Sequence, residues 1–408
     1  MTENPRGDVV AQQYSKWTYP EPIQNLETWL ANNWQWYDPS HAHRVLWPDR
    51  PYQPDLDILI AGCGTNQAPV IAYTNRAAKV VAIDVSQASL DHGLYLKDRY
   101  GLKNLEFRLL PIEEISSLNQ TFDLVMSTGV LHHMADPPAG MKALAEVMRP
   151  EAVAGIMLYA RYGRLGVEQM QAVFREMGLR QDEESLRMVR QALDSLNSNH
   201  PARTYMAIAD DLNFDAGLVD TFLHGRDRSF TVADCLELVE SAGLVFQDWF
   251  IKTPYYPPTL VEPANEFYAA VNQLPERAMW SVMERTRNLN GCHFFLACRP
   301  ERPQPGYRID FSSADALDYV PIMRLRVGLN GQELFRHGWS IQLDPTHLAF
   351  AQNIDGERSI RDIAQRVARS GVLASADQAE LEYVGLELFE SLWRMDFVSI
   401  DLSGAARG

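Results

Sequence analysis

Short apolar runs alternate with segments of helical period over the first two-fifths of this chain. Ile58 to Ile60, the run from Val80 to Ile83, residues 104–115, Phe122 to Met126 and residues 155–159 each read as a buried strand, the third with its following loop. Small-residue or amphipathic stretches separate them. This β, α, β alternation predicts parallel strands joined by helical crossovers. After Tyr159 the period lengthens, and 167–196 reads as long helices with apolar positions at Met170, Val173, Phe174 and Met177. Thr231 is a fitting N-cap for a helix carrying Val232, Leu236, Val239 and Ala242, with Gly243 as its stop. Residues 244–251 and 293–298 read as two closing strands. A proline-rich stretch, 299–306, marks the clearest boundary. Beyond it, the alternating 339–343 predicts a half-buried strand. Residues 355–364 predict a turn and capped helix, 379–393 a longer helix, and 397–400 a last strand.

The first two strands carry the chemistry. Strand one empties into Ala61-Gly62-Cys63-Gly64-Thr65, and strand two ends on Asp84, twenty residues beyond Gly64. Glycines can turn sharply and let a ligand lie against bare backbone, and an acid at that distance is placed to accept from ribose hydroxyls. A nucleoside cofactor follows. Gln67 stands where a dinucleotide fingerprint wants its third glycine, which disfavours a nicotinamide oxidoreductase. No Lys-Ser or Lys-Thr is present to cradle a triphosphate.

Four ordered pieces, AGCGT, VVAID, the LPIEE loop and FDLVMSTGVLHH, followed by a helix taken to end at Met148-Arg149-Pro150, resemble the class I S-adenosylmethionine-dependent methyltransferases. Gln13-Tyr14, Tyr19-Pro20, Leu223-His224-Gly225-Arg226 and Arg228-Ser229-Phe230-Thr231 resemble a bacterial group within that class carrying a QYxxxPYP-like N-terminal segment. The resemblance implies an α/β fold, a doubly wound Rossmann-like sheet with an antiparallel final strand, and S-adenosylmethionine as cofactor. Carried onto this chain, it implies cofactor contacts from Gly62, Cys63, Gly64, Asn66, Asp84, Val85, Ile112, Glu113, Thr128 and Tyr14. Three positions depart from the family. Ile60 replaces an acid before the glycine turn, Asn66 replaces the turn's third glycine, and Pro111 replaces the usual adenine-contacting acid. Asn66 tolerates left-handed backbone and can donate to a carboxylate.

The implied organisation is an aromatic lid over 1–50, a methyltransferase domain over 51–300 with insertions near 162–228 and 253–290, a linker at 301–306, and a small α+β domain over 307–408. That last domain is reminiscent of winged-helix peptide-binding modules, with a packing or dimerisation appendage as the alternative. His132 and His133 open the helix after the fourth strand and are candidates for catalysis or local packing. Tyr159, Arg161, Tyr162, His224 and Arg228 are candidate acceptor contacts, with salt bridging as the alternative for the last two. Arg161, Arg164, Arg226 and Arg228 are read as surface residues in preference to a basic groove.

Composition narrows the partners. A net charge of −16 opposes general nucleic-acid binding. Cys63, Cys235, Cys292 and Cys298 lack CxxC spacing and fit a reducing cytoplasm with no metal site. No membrane-spanning or signal pattern is expected. The expected activity is methyl transfer to a small molecule or peptide by a chain that could form a homodimer. The alternative is a cofactor-binding regulatory protein without turnover.

Overall fold

The computed structural model describes residues 8–287, 290–370 and 377–404. The chain forms two compact units, one from 1–37, 54–249 and 284–302, the other from 38–53, 250–283 and 303–408.

The first unit is built on a seven-stranded sheet. Its strands are β1 (Asp57–Ala61), β2 (Lys79–Asp84), β3 (Leu105–Leu109), β4 (Phe122–Thr128), β5 (Met148–Tyr159), β6 (Val245–Trp249) and β7 (Cys292–Cys298). Their spatial order is β3-β2-β1-β4-β5-β7-β6. The first five are parallel, and β7 runs antiparallel to both β5 and β6. The central strands are nearly continuous apolar runs because both faces are covered, by helices Gln67–Thr74, Gln87–Tyr100, Pro137–Glu146 and Val232–Ser241 among others. Strand order reverses between β1 and β4, and ligands of open α/β sheets bind outside the carboxyl ends at such a point.

Several expected boundaries move. Met148-Arg149-Pro150 opens β5 instead of closing a helix, which ends at Glu146. Arg149 explains the placement: its guanidinium meets Asp57 at 2.5 Å and Asp123 at 2.6 Å, tying the starts of β1 and β4 to β5. Thr231 forms a full capping box with Asp234, and Gly243 ends the helix with φ +73°. The insertion after β5 is helical, with Leu165–Glu176, Glu183–Ser195, Pro201–Met206 and Asp215–Phe222 closing on a core of Val167, Phe174, Val189, Leu218 and Phe222.

In the second unit, β8 (Val320–Met323) pairs with β12 (Val398–Asp401), and β9 (Gly328–Asn330), β10 (Glu333–Arg336) and β11 (Trp339–Gln342) form an antiparallel sheet. Helices Pro345–Ala351, Ile360–Ser370 and Gln378–Arg394 complete it. Residues 38–53, and residues 250–283 between β6 and β7, cluster with this unit. Buried Asp396 accepts from the backbone N–H groups of Lys252 and Thr253 and pairs with Arg324 at 2.6 Å. Burial alone would raise that carboxyl, but the charges of Arg324, Arg336 and Lys252 hold it below its ordinary value. Arg44 meets Asp401 at 2.6 Å, and Leu402 N–H donates to the Pro48 carbonyl.

Candidate functional site

The carboxyl ends of β1, β2 and β4 open onto a cavity of about 620 Å3 in the first unit. The glycine turn forms part of its floor. Gly62 (φ +76°) and Gly64 (φ +53°) both adopt left-handed backbone, and a Cβ on Gly62 would lie 2.3 Å from Val130 Cγ2. Asp84 Oδ2 accepts from the Gly64 N–H at 2.9 Å, and its Oδ1 accepts from the Ser86 N–H at 2.8 Å. The acid that ends β2 therefore fixes the turn while facing the cavity. Burial raises its carboxyl above the ordinary value, and the N–H groups of Ser86, Gly64 and Val85 oppose that rise.

A strap from Asp8 to Ile23 is fastened to this unit at several points. Thr65 Oγ1 donates to the Pro20 carbonyl at 2.8 Å. Asn66 Nδ2 donates to the Glu21 carbonyl at 2.7 Å, while its Oδ1 accepts from the Ile23 N–H at 2.9 Å. Tyr14 O–H donates to Asp220 at 2.7 Å, and Tyr19 O–H donates to Asp211 at 2.8 Å. Tyr159 O–H, at the end of β5, takes the other Asp220 oxygen at 2.9 Å. Burial first, then the Asp220 charge, pushes Tyr14, Tyr19 and Tyr159 well above the ordinary phenol value, so all three act as donors. Burial also raises the Cys63 thiol, and pushes Cys292 up to about 12. Neither cysteine lining the cavity is a thiolate nucleophile.

Beside Tyr159, three imidazoles cluster, with His132 and His133 meeting edge to face. His132 lies 3.8 Å from the Tyr159 ring centroid, and His133 lies 3.8 Å from His224. Arg164 is fully buried over the Tyr159 ring and pairs with Asp227 at 2.9 Å and Tyr205 O–H at 2.7 Å. Burial lowers its guanidinium, but Asp227 and the Tyr205 and Tyr159 oxygens around it outweigh that and leave it raised.

The cavity is lined by Gly62, Cys63, Gly64, Asp84, Val85, Ile112, Glu113, Thr128 and Tyr14, all expected cofactor contacts, and also by His133 and Tyr159. The other expectations land elsewhere. Asn66 has φ −121°, not left-handed backbone, and its amide is spent on the strap. His132 is sealed at 0% exposure, its Nδ1 accepting from the Tyr159 N–H, so it packs and does not face the cavity. His224 sits behind His133. Arg161 and Arg228 are exposed outside the lining, and Tyr162 O–H is held by Arg285 at 3.0 Å. Arg164 and Arg226 are not surface scatter, since the second pairs with Asp8. Of the expected lid aromatics, Tyr14, Tyr19 and Trp36 line the cavity, Trp17 packs on the helical insertion, and Trp47 is buried in the second unit.

Sequence reading missed Asp210, Asp211, Asp220 and Tyr205, which also line the cavity. Asp220 had left a signal, since it is an acid inside the apolar helical run GLVDTF. The same fold brings His132, His133 and Asp227, and separately His133, Asp220 and His224, within metal-ligating reach. In the second cluster hydrogen bonds already occupy much of the donor set. Both Asp220 oxygens accept from tyrosines, and His224 Nδ1 accepts from the Arg226 N–H, which places its proton on Nε2.

Residues 53–200 match the family described as a methyltransferase domain. The chain is 26% identical over 325 residues to an uncharacterized protein from Synechococcus sp., spanning 78% of this chain and 76% of that one. It is 28% identical over 160 residues to the tRNA 5-carboxymethoxyuridine methyltransferase of Escherichia coli, spanning 39% of this chain and 58% of that enzyme. In fold it is similar to PKMT2 from Rickettsia typhi, at a TM-score of 0.65 with 14% identity over 94% of this chain and 77% of that one. The same protein in complex with AdoHcy gives 0.63, over 90% and 75%. No helix among the described residues is long and apolar enough to cross a membrane. A left-handed glycine cradle beneath Asp84, a parallel sheet reversing at that point and the matched domain agree: the chain carries a methyltransferase domain of Rossmann-like fold, with S-adenosylmethionine as its cofactor.

Proposed function

We propose that this enzyme methylates a small-molecule or peptide acceptor whose reacting end is neutral or cationic. The observation that carries the reading is the charge of the cavity wall. Asp8, Asp84, Glu113, Asp210, Asp211 and Asp220 line it, and among the described residues no lysine or arginine does. A buried anion needs a paired cation or several donors, so an acceptor ending in carboxylate or phosphate meets an unfavourable field here. The tRNA methyltransferase acts on a carboxymethoxyuridine, and that chemistry does not suit this wall. Aromatic groups at Tyr14 and Tyr19 suit a positive or apolar group.

In this reading Asp84 takes the cofactor's ribose hydroxyls, the glycine turn lies under its methionine end, and Ile112 and Glu113 flank its base. S-adenosylmethionine supplies the electrophilic methyl group. The chain's own residues align the acceptor and exclude water, which can contribute roughly 7–11 kcal/mol of the barrier. The test has two steps. Calorimetric titration of S-adenosylmethionine should show binding that is lost in Asp84→Ala. Transfer of a labelled methyl group should then be compared across amine, alcohol, carboxylate and phosphate probes. Preferential methylation of the carboxylates would refute the proposed polarity.

A further inference from the structure

Arg226 sorts the protons of two stacked histidines. Its N–H donates to His224 Nδ1 at 3.0 Å, and its carbonyl, which can only accept, takes the Nδ1 proton of His133 at 2.9 Å. The neutral rings are therefore held as opposite tautomers while stacked at 3.8 Å and 17°. His224 keeps its proton on Nε2, 3.4 Å from the Tyr14 oxygen, and Tyr14 O–H donates a hydrogen bond to Asp220. His133 keeps its lone pair on Nε2, and of the three clustered imidazoles it alone lines the cavity.

We propose that His133 Nε2 is the base of the methyl transfer and that the Arg226 peptide and His224 are the residues that position it. This rests on the methyltransferase reading above. An acceptor N–H or O–H attacks the methyl carbon with its lone pair. The carbon–sulfur pair returns to sulfur, which leaves as the neutral thioether of S-adenosylhomocysteine. The acceptor's proton moves to His133 Nε2 and then to solvent.

The surroundings suit that task. Facing His133 are His132 at 4.2 Å and Tyr159 at 5.6 Å between ring centroids, with Tyr14 at 6.4 Å. Asp227 Oδ1 lies 3.9 Å from His133 Nδ1, and that carboxylate is anchored by Arg164 and Gln171. Burial, then the neighbouring His133, holds His224 well below the ordinary imidazole value, so it stays neutral when its partner takes a proton. His132 is lowered in the same way.

The experiment uses full-length protein labelled with 15N at histidine and saturated with S-adenosylhomocysteine, with His133→Gln and His224→Gln for assignment. We expect His133 protonated at Nδ1 and His224 protonated at Nε2. In cofactor-free protein, diethyl pyrocarbonate should modify His133 at least tenfold faster than His132 or His224. Identical tautomers in the two rings, or an inert His133 while exposed His337 reacts, would overturn the proposal. Should S-adenosylmethionine fail to bind while His133 still reacts, the methyl-transfer reading falls and takes the base's task with it. Should the cofactor bind while His133 does not react, the base alone falls.

Discussion

The two sides of the cavity are built in contrasting ways. The ribose-and-turn part of the cofactor side comes from one β-turn-α-β stretch, Asp57 to Asp84, in which Asp84 and Gly64 are joined by one hydrogen bond across twenty residues. The acceptor side gathers Tyr14, His133, Tyr159, Tyr205, Asp211 and Asp220 from four separate segments, joined by bonds spanning up to 206 residues. A local motif can be lost without unfolding its neighbours. A wall assembled from distant donors and acceptors holds binding and stability together.

The sharpest way to separate the two sides is Asp84→Ala. It removes a charged acceptor for two ribose hydroxyls, and hydrogen bonds to charged groups are worth about 1.5–3 kcal/mol each. We expect affinity for S-adenosylmethionine to fall at least a hundredfold by calorimetry, with the tyrosine–aspartate wall intact. An unchanged affinity would break the assignment. Gly62→Ala should be nearly as damaging. The new Cβ overlaps Val130 and must adopt left-handed backbone, a combined cost of about 2–4 kcal/mol. Thermal unfolding should shift downward with cofactor affinity, and a Gly62→Ala/Val130→Ala double variant should recover only the steric part.

Acidity should act through two buried groups outside the cavity lining, leaving both sides in place. Burial depresses His293 from 6.5 to about 4, while its Nε2–H donates to the Phe230 carbonyl beside the end of β5. Its folded value lies below its unfolded one, so the unfolded chain binds the extra proton between about pH 6.5 and 4. Stability from this group is complete above that window and is lost as pH falls through it, by up to roughly 3 kcal/mol at 1.36 kcal/mol per unit. Glu284, raised to about 7 chiefly by burial, has the opposite sign, stabilising below its unfolded value and losing that contribution as pH rises to about 7. Denaturant titrations from pH 4 to 8 should therefore show a shallower acid limb in His293→Gln and a steeper rise to neutrality in Glu284→Gln. Tyr14→Phe is the mildest test, removing one donor from buried Asp220 at a cost of about 1–3 kcal/mol. If it weakens cofactor binding as much as Asp84→Ala does, the two sides are not separable.

How much of this was legible in the sequence follows the same division. Strand positions, the glycine turn, Asp84, the Thr231 cap and the Gly243 stop could be read because each depends on neighbours a few residues away or on one supersecondary unit. Met148 and Arg149 were misread as a helix end because their strand is fixed by ion pairs to Asp57 and Asp123, far along the chain. Asn66 was read as a cofactor contact because the segment it clamps, Glu21 to Ile23, lies 43 residues or more upstream. The His132-His133 pair was visible, but identical neighbours in sequence met different fates. One is sealed against Tyr159 and the other faces the cavity.

The sequence by itself determined the cofactor. A ribose acceptor and a bare-backbone turn are properties of one chain segment, and local sterics leave them few alternatives. Only the tertiary structure decided the acceptor side. Charges and tautomers there are set by which distant groups desolvate one another, and no spacing along the chain encodes that. Asp220 between Tyr14 and Tyr159, Arg164 over the Tyr159 ring, and two histidines given opposite protons by the backbone of one residue all arise from long-range contact.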